Sequence, residues 1–353
     1  MGCRRSGPPC VCGLCMDFHN YKKTMKTNLS SLFCALALFF ACSAGFIACS
    51  DDDGAPEILP PTDETPADST SAPGTDSTAV AVLDSAEVWC NRDGQRIYGM
   101  LYKKVTPGHR APAVILSHSA MLTHAAMKGY AKALAEKGLV AYCFDFCGGS
   151  ADSRSDGSTD SMTVFTEVDD LKAVLDQVRK FDCVDADSVY LLGSSQGGLV
   201  SALAAEDCAD RVRGLVLFYP AFNMPDIIRQ FGDYLGGGSW GNLGGGWGDL
   251  GGLGDMFSMS EAFIESLKDF DVWSHIGTYA RPVVILHGSK DIIVPVSNSQ
   301  KAAELYPDAK LHIIEGASHG FNAANLGELG AMMGFTADYD GEVLPIVYQF
   351  LNR

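Results

Sequence analysis

Basic residues are scarce in this chain: 26 Lys and Arg stand against 43 Asp and Glu, a formal net charge of −17. Between Asp51 and Asn91 there are none at all, while ten acids fall there among many Pro, Thr and Ser. Such a stretch buries too little apolar surface to fold, so it reads as a linker or stalk. Residues 1–50 carry +4 and the acidic stretch −10, which leaves −11 from Arg92 onward. A folded part this acidic argues against a nucleic-acid partner. A cysteine framework is also lacking. Seven of the twelve cysteines lie at or before Cys49. The other five, Cys90, Cys143, Cys147, Cys183 and Cys208, are odd in number and irregularly spaced, and at most a single bridge stays open among them. Cys10, Cys12, Cys15 and His19 contain one C-x-x-C without a second pair, too little for a zinc site, and no metal or cofactor is assigned.

No uninterrupted apolar run here reaches the ~20 residues that cross a bilayer. The apolar segment Leu29–Ser50 follows Lys22, Lys23 and Lys26, the layout of a secretory signal. Its end, Phe46-Ile47-Ala48 before Cys49, resembles a bacterial lipoprotein signal with Cys49 as the lipid-bearing residue. Ser50-Asp51-Asp52-Asp53 is similar to the acidic export tag of Bacteroidetes-type surface lipoproteins. That resemblance implies an exported chain, lipid-anchored to the outer membrane and touching the membrane only through that anchor. A signal begins a few residues before its apolar core, and Met25-Lys26 stands there, so residues 1–24 read as an upstream misassigned start. The expected organisation is a signal at 25–48, a linker at 49–86 and one folded domain at 87–353.

From Val88 onward, short apolar runs alternate with amphipathic stretches. GQRIYGMLYKKV, APAVILSH, LVAYCFDF, SVYLLG, RGLVLFY, RPVVILHG and AKLHIIEG read as strands. Between them lie helical patterns. In MTVFTEVDDLKAVLDQVRKF, for example, Val164, Val168, Leu171, Val174, Leu175 and Val178 share a face. Strands alternating with helices predict an α/β architecture, a mainly parallel sheet with helices on both faces. Chemistry is then expected in loops at the carboxyl ends of strands.

Gly193-Ser194-Ser195-Gln196-Gly197 fits G-x-S-x-G directly after a strand and before a helix, the context of a nucleophile elbow. The spacing selects Ser195 and not Ser194, because Leu192 would occupy the first glycine position for Ser194. An ordinary glycine-rich turn is the alternative for the motif alone. Further along, Asp291 follows VVILHGSK and His319 follows LHIIEGAS, each in a loop after a strand. Ser, Asp, His is the chain order this motif uses. His319 is expected to take the Ser195 proton while Asp291 fixes its tautomer. His118 and His287 end strands and are expected to brace loops. Two backbone donors are needed for an oxyanion. One is Gln196 N–H, and the other falls in His118-Ser119-Ala120-Met121.

At this point the sequence resembles the α/β-hydrolase superfamily, more narrowly bacterial feruloyl (cinnamoyl) esterases and related carboxylesterases. The resemblance runs from about Ile97 to Leu351 and rests on SMTVFTEVDDLKAVLD, SSQGG, HGSKDIIVP and SHGF. It implies a serine hydrolase acting on small esters, feruloyl or acetyl groups of plant polysaccharide among them. The family usually has His-Gly-Phe at His118-Ser119-Ala120, which implies Ala120 N–H as second donor and a wider acyl side. Ser194 replaces a histidine common before the nucleophile, and no role is assigned to its hydroxyl. Residues 221–280 stand where the superfamily places a lid, and residues 232–254 contain twelve glycines. A flexible apolar cover and an insertion without a role are both open readings. A serine peptidase of the same fold and a non-catalytic surface-binding component are the rival functions.

Overall fold

Four consecutive strands of the sheet follow one rule, and it explains where the core lies. In β3 (Ala111–Ser117) Ala113 and Ile115 enter one hydrophobic cluster, while Val114 and Leu116 enter a second one. β5 (Val184–Ser194), β6 (Gly214–Phe218) and β7 (Val283–Gly288) repeat that alternation. Successive strand side chains point to opposite faces, so a run apolar at every position must be covered on both. The computed structural model describes residues 81–234, 259–322 and 338–352. The signal segment, Cys49, linker residues 49–80 and the glycine-rich stretch from residue 235 to 258 lie outside the described residues.

The sheet has eight strands in the order β1-β2-β4-β3-β5-β6-β7-β8. β1 (Asp84–Arg92) pairs antiparallel with β2 (Gln95–Lys103), and β2 pairs antiparallel with β4 (Val140–Phe144). From β4 through β8 (Ala309–Ile314) every neighbouring pair is parallel. Helices α1 (Lys128–Glu136) and α7 (Asp340–Leu351) contribute Leu134, Val343 and Val347 to one cluster. α2 (Val164–Val178), α3 (Gln196–Asp207), α5 (Glu261–Leu267) and α6 (Val296–Leu305) contribute Leu171, Leu199, Leu267 and Ala302 to the other. The expected architecture, a mainly parallel sheet covered on both faces, is the one observed. Among the described residues all five cysteines are free, and Cys143 is a fully buried core residue.

One expectation is corrected. The linker does not run to residue 86, since β1 begins at Asp84. Cys90 is the only buried residue of that strand, because β1 is an edge held by its ladder to β2 and leaves no apolar pattern in the sequence. Within the segment expected as an insert, 221–280, lies helix α4 (Met224–Tyr234), an element not assigned from the sequence.

Candidate active site

β5 ends in a turn that sterics dictate. Ser195 has φ 51° and ψ −117°, a backbone region costly for any residue with a side chain. The chain enters it because its neighbours have no alternative. A Cβ on Gly193 would lie 2.1 Å from the Gly197 carbonyl oxygen, and one on Gly197 would lie 2.4 Å from the His118 carbonyl oxygen. Only glycine permits so close an approach, so both glycines of G-x-S-x-G are required. The turn is tied down by Ser195 N–H donating to the Phe218 carbonyl and Ala221 N–H donating to the Ser195 carbonyl, both 2.9 Å. Gln196 is the first residue of α3, so its N–H has no acceptor within the helix.

The structure brings Ser195, His319 and Asp291 together from three loops. His319 Nε2 is 3.0 Å from Ser195 Oγ, and His319 Nδ1 is 2.8 Å from Asp291 Oδ2. Asp291 Oδ1 accepts from Ile293 N–H and Val294 N–H, each at 2.9 Å. Burial alone would raise the Asp291 pKa, but the adjoining His319 charge and hydrogen bonds from His287 and His319 hold it well below the usual carboxylate range. Its carboxylate is an acceptor only, so it accepts a hydrogen bond from His319 Nδ1–H, which leaves Nε2 as the unprotonated nitrogen facing the serine. Such a chain can move a proton off Ser195 Oγ and steady the resulting imidazolium. The His319 ring also packs on Tyr219, with centroids 4.6 Å apart.

The two strand-ending histidines brace loops, as expected. His287 Nε2 lies 2.9 Å from the Val294 carbonyl and 3.2 Å from Asp291 Oδ2. Both are acceptors, so Nε2 carries the proton and Nδ1 accepts from the Ser299 hydroxyl at 2.6 Å. His118 does the corresponding work after β3, where its Nδ1 is 2.8 Å from the Ser119 carbonyl. Ala120 is half-buried in the turn that follows.

Sequence reasoning missed three features. Ser194 was given no role, yet its hydroxyl is buried 3.0 Å from that of Ser119. With Leu122, Met127, Tyr219 and Phe321 these two serines line the second missed feature, a cleft between the segments after β3, β5, β6 and β8. The third is Glu167, which accepts from Gln196 Nε2 at 2.8 Å. Burial pushes its carboxyl up to about 8. Its position was legible, since Glu167 falls between Val164 and Val168 on the apolar face of α2. Among the described residues no group of His, Cys, Asp or Glu is arranged to hold a metal ion.

Comparison with known proteins agrees with this architecture. The profile of the Hydrolase_4 family, described as serine aminopeptidase S33, matches residues 108–236, which include Ser195 but not Asp291 or His319. A feruloyl-ligand complex, Est1E from Butyrivibrio proteoclasticus with bound ferulic acid, superposes with a TM-score of 0.57 at 24% identity, covering 70% of this chain and 97% of that one. The hydrolase GrgF from Penicillium sp. sh18 gives 0.57 at 18% identity, covering 77% and 99%. A non-heme chloroperoxidase of Kitasatospora aureofaciens is 36% identical over 67 residues, 19% of this chain and 21% of that protein. The match thus spans about a fifth of that relative's length. The chain has the α/β-hydrolase fold.

Proposed function

We propose that this protein is a serine hydrolase that cleaves small carboxylic esters through an acyl-enzyme. The observation that carries the reading is the unbroken chain from Ser195 Oγ through the His319 ring to Asp291, with Ser195 held at φ 51°. Ser195 Oγ attacks the ester carbonyl as its proton passes to His319 Nε2. The charge that develops on the carbonyl oxygen is met by Gln196 N–H and Ala120 N–H. As the tetrahedral intermediate collapses, His319 returns the proton to the departing alcohol. Water, deprotonated by the same ring, then releases the acid and restores Ser195. No cofactor enters this cycle.

Feruloyl or acetyl esters of plant polysaccharide are the natural substrates we infer, in keeping with an exported, Cys49-anchored lipoprotein. Labelling by a fluorophosphonate probe tests the mechanism, with loss of labelling expected in Ser195→Ala. A panel of p-nitrophenyl esters, methyl ferulate and aminoacyl anilides tests the class. Turnover of anilides alone would instead favour a peptidase, the reading that the aminopeptidase profile match supports. Cys49→Ser is expected to release the protein from membranes, which cell fractionation reads directly.

A further inference from the structure

Oxyanion stabilisation depends on donors that are already aimed at the developing charge. Here the two donors belong to different loops, Gln196 after β5 and Ala120 after β3. The parallel ladder between these strands ends at the Ser117–Gly193 pair. Beyond it, Gly197 packs against the Ser117 and His118 carbonyls, and the next contact outward is made by side chains. Ser119 Oγ lies 3.0 Å from Ser194 Oγ and 3.4 Å from the Ser194 carbonyl oxygen, with both serines buried.

A second set of bonds fixes the orientation of the Ser119–Ala120 peptide. His118 Nε2 accepts from Phe146 N–H at 3.3 Å, which leaves the ring proton on Nδ1 to be donated to the Ser119 carbonyl at 2.8 Å. Burial lowers the His118 pKa and keeps the ring neutral. Leu122 N–H donates to the same carbonyl at 3.2 Å, closing a turn whose third residue, Met121, has φ 60°. No described peptide is cis, and in a trans peptide the carbonyl and N–H point in opposite directions. With the Ser119 carbonyl held on one side, Ala120 N–H is presented on the other.

We propose that Ser119, Ser194 and His118 are positioning residues that set the oxyanion hole. The serine pair fixes the spacing of the two loops, and His118 fixes the direction of the Ala120 donor. This inference rests on the serine-hydrolase reading above.

The test is steady-state kinetics on the full-length protein with p-nitrophenyl acetate, for Ser119→Ala, Ser194→Ala and the double variant. Each single variant is expected to lose about 3–10-fold in kcat, the scale of one lost neutral hydrogen bond. KM should stay within about twofold, as for an interaction made only in the transition state. The double variant should be no worse than about either single one, because all three lack the same brace. Affinity for a trifluoromethyl ketone, which forms an oxyanion on Ser195, should fall in parallel with kcat/KM. If Ser119→Ala folds poorly, Ser194→Ala breaks the same contact from the other side. Unchanged kcat in both single variants overturns the proposal, as does a raised KM alone, which would make the pair a substrate contact. Multiplicative losses in the double variant overturn the shared brace. Ser195→Ala run beside them separates the two ideas. If it keeps full activity the hydrolase mechanism fails, whereas if it is dead while both alanine variants keep kcat, only the positioning role fails.

Discussion

The turns that follow β5 and β3 lie beside each other at the carboxyl end of the parallel strands, yet different forces shape them. After β5, backbone presses on backbone: Gly197 leaves no room for a Cβ against the Ser117 and His118 carbonyls. After β3, the turn through Ala120 and Met121 is held by hydrogen bonds from His118, Ser119 and Leu122. A steric constraint dictates residue type and is unforgiving. A hydrogen-bonded one tolerates many sequences and yields by degrees. The first turn should therefore fail abruptly when altered, and the second gradually.

The largest effect is expected at the residue the steric turn displays. Ser195→Ala should lower ester turnover by on the order of 10⁴-fold or more while leaving the melting temperature near that of the parent. A variant that retained activity would mean that the turn holds up some other group. Asp291→Asn comes next, with a loss of about 10³–10⁴-fold in kcat. An amide can present its N–H₂ to His319 Nδ1 and so favour the tautomer that cannot accept the serine proton. Because the Asp291 pKa lies well below the usual range, its ionisation should not shape the pH–rate profile between pH 5 and 9. An acidic limb that moved with substitutions around Asp291 would contradict this.

Gly197→Ala tests the steric claim itself. The added methyl would meet two backbone carbonyls, at 2.4 and 2.5 Å, so β3 must shift. Overpacking of this kind costs about 1–3 kcal/mol or more, which is roughly 3–10 °C in melting temperature for a domain of this size. Thermal unfolding followed by circular dichroism checks it, and a drop of under one degree would show that the turn has slack.

The smallest effect on activity is expected behind the elbow, at Glu167. Its folded-state pKa, about 8, lies above the 4.5 of an ordinary glutamate, so the native state keeps a proton that the unfolded chain releases in between. The stabilisation is fully present below about pH 4.5 and is lost as pH rises toward 8. Glu167→Gln should remove this slope. The melting temperature at pH 8 should rise by a few degrees relative to the parent, with little difference at pH 4.5. At neutral pH kcat should stay within about threefold, since glycine contacts, and not the Gln196–Glu167 bond, enforce the turn. A tenfold loss in kcat would place hydrogen bonding beside sterics in the first turn as well.

Both halves of the comparison bear on what can be read from residues alone. Strand order along the chain, cover on both sheet faces, and Ser195, Asp291 and His319 were legible because each leaves a local signature. Continuous apolar runs mark two-faced burial, paired glycines mark a backbone that cannot accommodate a Cβ, and an acid and a histidine each stand just past a strand. β1 was not legible from Asp84, since eight of its nine residues are exposed or only partly buried and an edge ladder needs no apolar pattern. The Ser119–Ser194 contact joins residues 75 apart, through hydroxyls that would suit any polar surface. Glu167 lay in plain view on an apolar helical face, but its partner, 29 residues on, did not. The sequence by itself determined most of the elements and the glycine-flanked turn that displays Ser195, because sterics and periodicity act between near neighbours. Only the tertiary structure decided how the second loop is braced, because hydrogen bonds between distant neutral groups depend on where the sheet places them.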